Sequence, residues 1–557
     1  MEVSALVRSL LSKRGIETDA DIAAFLNPDY ALHTHDPFLF SGMNVAVERT
    51  LTAIAKGERI AVYADFDCDG IPGASVLSDM FNKIKYDNFE VYLPHRDKEG
   101  YGFHKDAITL LASRDVKLII TIDVGTTAVD AVAHANTLGV DVIVTDHHEV
   151  PETLPAAVAL LNPKLSPYPF GGLCGAAVAF KFAQALLAEG KRRDVERFAS
   201  IPDGWEKWLL DLVAIATVAD IVPMTGENRA LVYWGLQVLR KSPRPGITAL
   251  VQKLRLRKSD ITESDIGFSI APRINAASRM DDPQLAFRLL TTHDPLEAEH
   301  LAARLESLNT KRKSVAGVIV REAKKIARER FSAEERIIVL GNTEWKPALL
   351  GLAANSVMGE RGGMVCLWGR DVNGTLKGSC RSDDSLSVVD VFSHAGNVLE
   401  ESGGHERSGG FTISHERIHE LPEAFARAAA ELRNEKKTIE FSHDALLSLT
   451  EISWGLLKDI SQLAPFGEAN PKPVFRISGA TVTAVRSFGK EKNHVEVVLA
   501  DDRAFESVRA FDFFRSPEHF SHEPKIGERA SMLATLERDS FRGPARLALR
   551  IVDILPA

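Results

Sequence analysis

The sequence predicts an α/β protein with a parallel-sheet domain, a long helical connector, a second α/β domain and a small C-terminal β-barrel. Three observations lead there. Short β-branched runs alternate with helical stretches over residues 46–225, a long basic helical pattern starts near residue 299, and turn-separated β segments crowd residues 465–557.

The parallel sheet rests on four apolar runs that each end in aspartate: IAVYADFDCDG (60–70), LIITIDVG (118–125), DVIVTDHHEV (141–150) and LVAIATVADIV (212–222). Apolar runs with little alternation read as strands buried on both faces. Helical patterns at 46–56, 72–84, 104–114 and 127–138 fall between them. A helical lead-in (1–45) precedes this domain (46–225), and a Pro- and Gly-rich loop, LNPKLSPYPFGGLCG, enters an apolar helix before the fourth run.

Open α/β sheets bind ligands beyond the carboxyl ends of their strands. The residues there are Asp65, Asp67, Asp69, Asp123, Asp146, His147, His148 and Asp220. Carboxylates so concentrated repel one another unless cations neutralise them. Carboxylate mixed with imidazole suits manganese or magnesium better than zinc.

Residues 226–330 read as a helical connector. Its last stretch carries Arg304, Lys311, Arg312, Lys313, Arg321, Lys324, Lys325, Arg328 and Arg330, either a solvated face or a strap for a polyanion. Residues 331–435 form the second α/β domain, with strands at 336–340 and 364–369 around a helix. Two glycine-rich elements follow, KGSCRSDD (377–384) and SGGHERSGGF (402–411), whose amides could cradle phosphate. The β-rich domain (455–557) suits an oligonucleotide-binding barrel. Its phenylalanines (Phe505, Phe511, Phe513, Phe514, Phe520, Phe541) are core residues or stacking platforms.

At 557 residues the chain holds several domains, and its net charge of −9 means that any nucleic-acid site must be locally basic. No run is long and apolar enough to span a membrane, and the N-terminus lacks a secretory pattern, so a cytoplasmic protein is expected. Four scattered cysteines (Cys68, Cys174, Cys366, Cys380) predict neither disulfide nor structural zinc.

DFDCDG, IDVG, DHH and VADIVP resemble, in order, the four metal-binding motifs of the DHH phosphoesterase superfamily. PHRDKEGYGFH (94–104), APRINAASRM (271–280), GSCRS, GGHERSGGF and PFGEANPKPVF (465–475) narrow the resemblance to its bacterial single-strand-specific 5′→3′ exonucleases. The resemblance covers essentially the whole chain beyond the lead-in. It implies a DHH-type catalytic domain, a DHHA1-like second α/β domain and a C-terminal OB-fold. Two divalent cations, Mn2+ or Mg2+, would be held by Asp65, Asp67, Asp69, Asp123, His147 and Asp220, with Asp123 bridging. Asp146 would orient the histidines, and His148 would donate to the scissile phosphate. Arg96, Ser379 and Arg381 would hold a 5′-terminal phosphate, and Arg279 and His405 the phosphate being cleaved. The implied catalytic set is His148, Asp123, Arg279 and His405. Single-stranded DNA is the implied substrate, cut to 5′-mononucleotides in recombination and repair. A helicase and a single-strand-binding protein are candidate partners, and one threading cleft asks for no more than a monomer.

The chain departs from the family pattern in three places. Tyr63 stands where many members have histidine, which leaves the roles within Asp65, Asp67 and Asp69 open. Ser278 replaces a usual glycine, and KPALLG (346–351) a His/Gly-rich stretch. Two other readings are a small-substrate phosphodiesterase of the same superfamily and a non-catalytic nucleic-acid scaffold. The C-terminal domain argues against the first, and the complete acid set against the second.

Overall fold

The computed structural model describes residues 3–165, 167–332, 335–432, 442–489, 492–500, 507–539 and 545–557. They form two compact units, residues 35–220 with 234–432, and residues 3–34 with 221–233 and 442–557. Phe505 and Phe541 lie outside the described residues.

The first unit opens with β1 (Arg59–Ala64), β2 (Phe89–Tyr92), β3 (Val116–Ile122), β4 (Asp141–Thr145) and β5 (Ala159–Leu161). They make a fully parallel sheet in the order β2-β1-β3-β4-β5. Val62, Ile120 and Val144 are fully buried, as strands covered on both faces require. This strand order reverses direction between β1 and β3, the switch point at which doubly wound sheets bind ligands.

Six helices position the functional residues: α1 (Gly70–Lys83), α2 (Gly175–Arg192), α3 (Leu210–Ala219), α4 (Ala271–Met280), α5 (Pro295–Arg330) and α6 (Pro347–Arg361). The fourth aspartate-ended run, read above as a strand, is the helix α3, and Asp220 is its C-cap. Leu210–Thr217 are all buried, so the run shows no polar period of either kind, and such runs do not distinguish strand from helix. Its length and its alanines (Ala214, Ala216, Ala219) favour helix.

The second sheet comprises β6 (Ile337–Gly341), β7 (Met364–Arg370), β8 (Leu376–Ser382), β9 (Glu401–His405) and β10 (Ser408–Ile413), in the order β6-β7-β8-β10-β9. Only β6 and β7 run parallel. The two glycine-rich elements are therefore strands, with Ser379 opposite Gly410 and Arg381 opposite Ser408. The amides of β8 serve this ladder, which lies between β7 and β10, and the side chains are left to meet a ligand. The expectation of unpaired cysteines also fails here. Cys366 and Cys380 stand opposite each other on β7 and β8, 4.1 Å apart at Cα, and form a disulfide. Strand register brings them together, and spacing in sequence does not reveal register.

In the second unit, β11 (Ala445–Leu447) lies parallel to β12 (Phe475–Phe488), which pairs with β13 (His494–Ala500), followed by β14 (Val508–Phe513), β16 (Arg546–Pro556) and β15 (Arg529–Asp539). Pairing of β12 with β15 closes the five long strands into a barrel, which removes exposed sheet edges. The helices Ala5–Ser12 and Asp19–Leu26 bury Val7, Leu10, Leu11, Ile22 and Leu26 in the same core as Phe475, Ile477 and Leu549 of the barrel. PFGEANPKPVF has a structural task in this unit. Arg229 donates to the carbonyls of Leu463, Ala464 and Pro465, and Asn470 Nδ2 to those of Leu463 and Pro465. Among the described residues no helix is long and apolar enough to cross a membrane.

Candidate metal centre and phosphate site

Three aspartates stand one residue beyond their strands, and each is locked by the neighbouring strand. The backbone N–H of Asp65 donates to Ile122 O, that of Asp123 to Thr145 O and that of Asp146 to Leu161 O. Hydrogen bonding between strands thus aligns the carboxyl ends of β1, β3 and β4. Asp123 adopts φ +60°, a conformation that non-glycine residues take at a cost of about 1–2 kcal/mol and that clusters at functional sites.

Asp67 Oδ1 accepts the amides of Asp69 and Gly70 at the start of α1. Asp69 reaches the N-terminus of α2, taking the amides of Gly175 (2.6 Å) and Ala176 (2.7 Å). This explains the Gly-rich entry to α2. A Cβ on Gly175 would lie 2.6 Å from Asp123 Cβ, so glycine is what lets the helix terminus approach.

The acids then converge. Asp65, Asp67 and Asp123 form one group of oxygen donors, and Asp69, His147 and Asp220 another, and Asp123 also groups with His147 and His148. His147 Nε2 lies 3.1 Å from Asp123 Oδ1 and 3.7 Å from both Asp69 Oδ2 and Asp220 Oδ2. Buried oxygens of Asp65 (Oδ1), Asp123 (Oδ1) and Asp220 (Oδ2) accept no hydrogen bond. Burial, followed by the neighbouring carboxylates, holds these three carboxyls well above their usual range. The same causes push Asp69 up to about 6. Burial and the charge of His148 bring His147 down to about 3, so its imidazole is neutral and free to ligate. Unsatisfied carboxylate oxygens with a neutral imidazole are the donor set that hard divalent cations fill, and the residues fit such ions.

Asp146 is spent otherwise. Its Oδ1 accepts the amides of His147 and His148 and the Nδ1 of His148 at 2.7 Å, and its Oδ2 accepts the amide of Thr126. Burial opposes its ionisation, but these donors hold it below the usual carboxylate range. Burial likewise opposes charge on His148, yet the Asp146 bond raises its pKa. His148 is thereby favoured as a cationic donor.

A second cluster has the opposite sign. Arg96 stacks on Phe66, 4.6 Å from the ring centre. Arg279, near the end of α4, donates to Ala348 O at the start of α6. Arg381 donates to Ser379 Oγ and Cys380 O. A Cβ on Gly351 would meet Arg381 Nη2 at 2.6 Å and Ser379 Oγ at 3.1 Å. The unusual KPALLG stretch therefore seats both arginines. Burial and the charges of Arg96 and Arg312 bring Arg279 down to about 9, and burial with Arg96 lowers Arg381. Among the described residues Arg96, Arg279, Arg312 and Arg381 have no carboxylate within ion-pair distance. The fold gathers these cations without supplying their anion.

Sequence comparison bears on the same elements. Residues 59–217 match the DHH family, N-terminal domain, residues 334–433 the DHHA1 domain and residues 443–553 the RecJ OB domain. The single-stranded-DNA-specific exonuclease RecJ of Salmonella typhimurium is 31% identical over 487 residues, 85% of this chain and 83% of that protein. The chain belongs to the RecJ family. RecJ of Haemophilus influenzae is 29% identical across 97% of this chain and 93% of its own length. The Bacillus subtilis relative is 34% identical, and the alignment spans 62% of its length. The structure of RecJ from Thermus thermophilus in complex with Mn2+ is 25% identical, with TM-score 0.80 over the whole of this chain and 79% of that one. A manganese-bound exonuclease RecJ is 29% identical, with TM-score 0.61 over 72% of this chain and 97% of that one.

In this RecJ-family chain the fold brings Asp65, Asp67, Asp69, Asp123, His147, His148 and Asp220 together. Tyr63, which stands where many members have histidine, is fully buried, stacks on Tyr92 and donates to Gly102 O, so it stays in the core, while Asp65 groups with Asp67 and Asp123. His405 stands at the end of edge strand β9, with its side chain open to solvent on one side; partial desolvation, then the charges of His148 and Lys164, lower its pKa. Two neighbours escaped the sequence reading: Tyr101 OH lies 3.3 Å from His148 Nδ1, and Asn275 Oδ1 accepts the amide of Cys68 within motif one. Arg312, read above only as part of a basic face or strap, lies close enough to Arg279 to repel it. Tyr101 and Asn275 sit inside stretches singled out above, so a motif position was signal enough for those two.

Proposed function

We infer that this chain is a metal-dependent exonuclease that degrades single-stranded DNA from the 5′ end to 5′-mononucleotides, acting in recombination and repair. One observation carries the reading, which is the pairing within one unit of a carboxylate–imidazole cluster whose buried Asp65, Asp123 and Asp220 oxygens accept no hydrogen bond with an arginine cluster that, among the described residues, has no carboxylate within ion-pair distance. A phosphodiester held at the arginines supplies the missing negative charge.

Asp65, Asp67 and Asp123 would hold one divalent cation, Mn2+ or Mg2+, and Asp69, His147 and Asp220 the other. When bound, such ions lower the pKa of a bound water and stabilise the charge that develops on the phosphoryl oxygens. Asp146 orients His148 and favours its protonated form, so that its imidazolium would donate to the scissile phosphate. Arg279 and His405 hold that phosphate, and Arg96, Ser379 and Arg381 grip the 5′-terminal phosphate. A guanidinium suits both tasks because it presents several donors in one plane. Residues 46–225 thus serve as catalytic domain, 331–435 as the end-binding domain joined by the connector 226–330, and 455–557 as the holder of trailing strand, with 1–45 as lead-in. The proposed setting is the cytoplasm, with a monomer fed by a helicase and a single-strand-binding protein.

The test is manganese-dependent digestion of a single strand labelled at either end, with Asp123→Ala as control. Immediate release of labelled mononucleotide from the 5′ end alone, lost in the variant, is the expected result. Release from the 3′ end, or cleavage confined to very short oligomers, would move the chain to the small-substrate branch. Tight strand binding without cleavage would make it a scaffold.

A further inference from the structure

The basic helix α5 is not a uniform strap. Arg304 pairs with Asp281, Lys324 and Arg328 with Glu360 at 3.0 and 2.7 Å, and Lys325 lies 4.0 Å from Glu329. Arg312 differs from these. It is partly buried, and its Nε is shielded from solvent without a hydrogen-bond partner. Three residues earlier Asn309 is fully buried, and neither of its amide atoms has a partner. A buried polar group left unmatched by its own fold is an exception that calls for a cause. Two such groups lie one turn apart on a single helix.

For Arg312 the neighbouring elements point to a cause. α4 packs along α5, tied by Arg273 to Glu306 at 2.7 Å and by Arg304 to Asp281 just beyond Arg279. Arg279 reaches from α4 to Ala348 on α6, and Gly351 of α6 touches Arg381 and Ser379 on β8. The guanidiniums therefore follow in the order β8, α4, α5, with Arg279 in the middle. The repulsion among the arginines centres on Arg279, which feels Arg96, Arg312 and Arg381, whereas Arg381 feels Arg96 and Arg312 feels Arg273.

We propose that Arg312 binds the internucleotide phosphate one step 3′ of the bond being cut, so that a row of guanidiniums reads successive phosphates of one strand. The proposal rests on the nuclease reading above. It adds a residue and a substrate linkage which that reading does not name.

A set of 5′-phosphorylated oligonucleotides, each with one linkage replaced by a neutral methylphosphonate, tests it. Affinity is measured by fluorescence anisotropy in calcium, with a gel to check that strands stay intact. For the unaltered protein, neutralising the linkage after the scissile one should weaken binding about tenfold, the scale of one charge-assisted hydrogen-bonded contact. Arg312→Ala should lose about as much on the all-phosphate strand and less than about twofold more on the modified one, because both changes delete one contact. The slope of affinity against salt should fall by about one. Arg312→Gln, which keeps length and polarity, should behave alike at an unchanged melting temperature.

If either variant remains fully sensitive to that methylphosphonate, Arg312 is not its partner and the proposal fails. The proposal also fails if the unaltered protein responds at the 5′ phosphate and the cleaved linkage but not at the next one, an outcome that leaves the nuclease reading intact. A protein indifferent to neutral linkages at every position overturns both.

Discussion

The acidic and the arginine clusters share one unit, yet they are built in opposite ways. The acids are short side chains on fixed backbone. Asp65 and Asp123 are locked by strand-to-strand hydrogen bonds, and Asp69 by the amides that begin α2. The arginines are long side chains from a loop, α4, α5 and β8, steadied by neutral groups such as the Phe66 ring and the carbonyls of Ala348 and Cys380. Small hard cations demand a rigid oxygen cage, whereas a sliding polyanion needs charge that can follow it. The difference in construction matches the difference between the ligands proposed for them.

The comparison predicts most for the acids. Asp123→Asn should lower nuclease activity by about 10³-fold or more, the scale of removing a principal electrostatic group. It should also make the metal-free protein more stable. A carboxyl held above its unfolded pKa leaves the folded state with more bound protons than the unfolded state between the two values. Stability is therefore lost as pH rises through that window and stays low above it. Melting scans without metal should put the variant above the unaltered chain at pH 8, with the gap narrowing as pH falls towards 4. Manganese should raise the melting temperature of the unaltered chain more than that of the variant. A variant that melts lower at pH 8 would break the claim that this cluster is strained by its own charge.

Gly175→Ala touches no ligand, yet it places a methyl 2.6 Å from Asp123 Cβ. If the acid cage is rigid, kcat should fall about 10²-fold, the usual cost of displacing catalytic groups by about 1 Å. Unchanged kcat would show that the cage gives way. Arg381→Ala probes the softer cluster. It should cost about tenfold in affinity for strands with a 5′ phosphate and far less for strands with a 5′ hydroxyl, read by comparing KM for the two. An equal loss on both would mean that Arg381 does not hold the end group.

The smallest effect concerns the proton on His148. Its Asp146 bond raises the imidazole pKa, so His148 stays charged to higher pH than an unassisted histidine. Asp146→Asn removes that support, and His148 should then lose its proton at lower pH. The alkaline limb of the pH–rate profile should move to lower pH. An unmoved limb would assign that limb to another group.

The acids were legible because each motif is a few consecutive residues after a strand, and strand geometry itself converts that local order into convergence. Asp65, Asp123 and Asp146 needed only the parallel register to meet. Asp220 was found by the same pattern for a partly wrong reason, since the run before it is the helix α3 and a fully buried run hides its period. Arg96, Arg279, Ser379 and Arg381 were legible through motifs alone. Nothing in their spacing says that they share a site, because α4, α6 and β8 meet only in the folded chain.

By itself, then, the sequence determined the chemistry of this protein, namely which acids end which runs, which stretches carry arginine and where the chain turns from α/β to β. Tertiary structure decided everything that depends on register and close approach. It made strands of the glycine-rich elements, set Cys366 opposite Cys380, kept Tyr63 in the core, turned PFGEANP into a clasp for Arg229 and left Arg312 without a partner on a helix where its basic neighbours Arg304, Lys324 and Arg328 are paired. The physical reason is range. Propensity, alternation and motif order act over a few residues, whereas the presence or absence of a counter-charge is settled by whichever elements pack nearby, however distant they are in sequence.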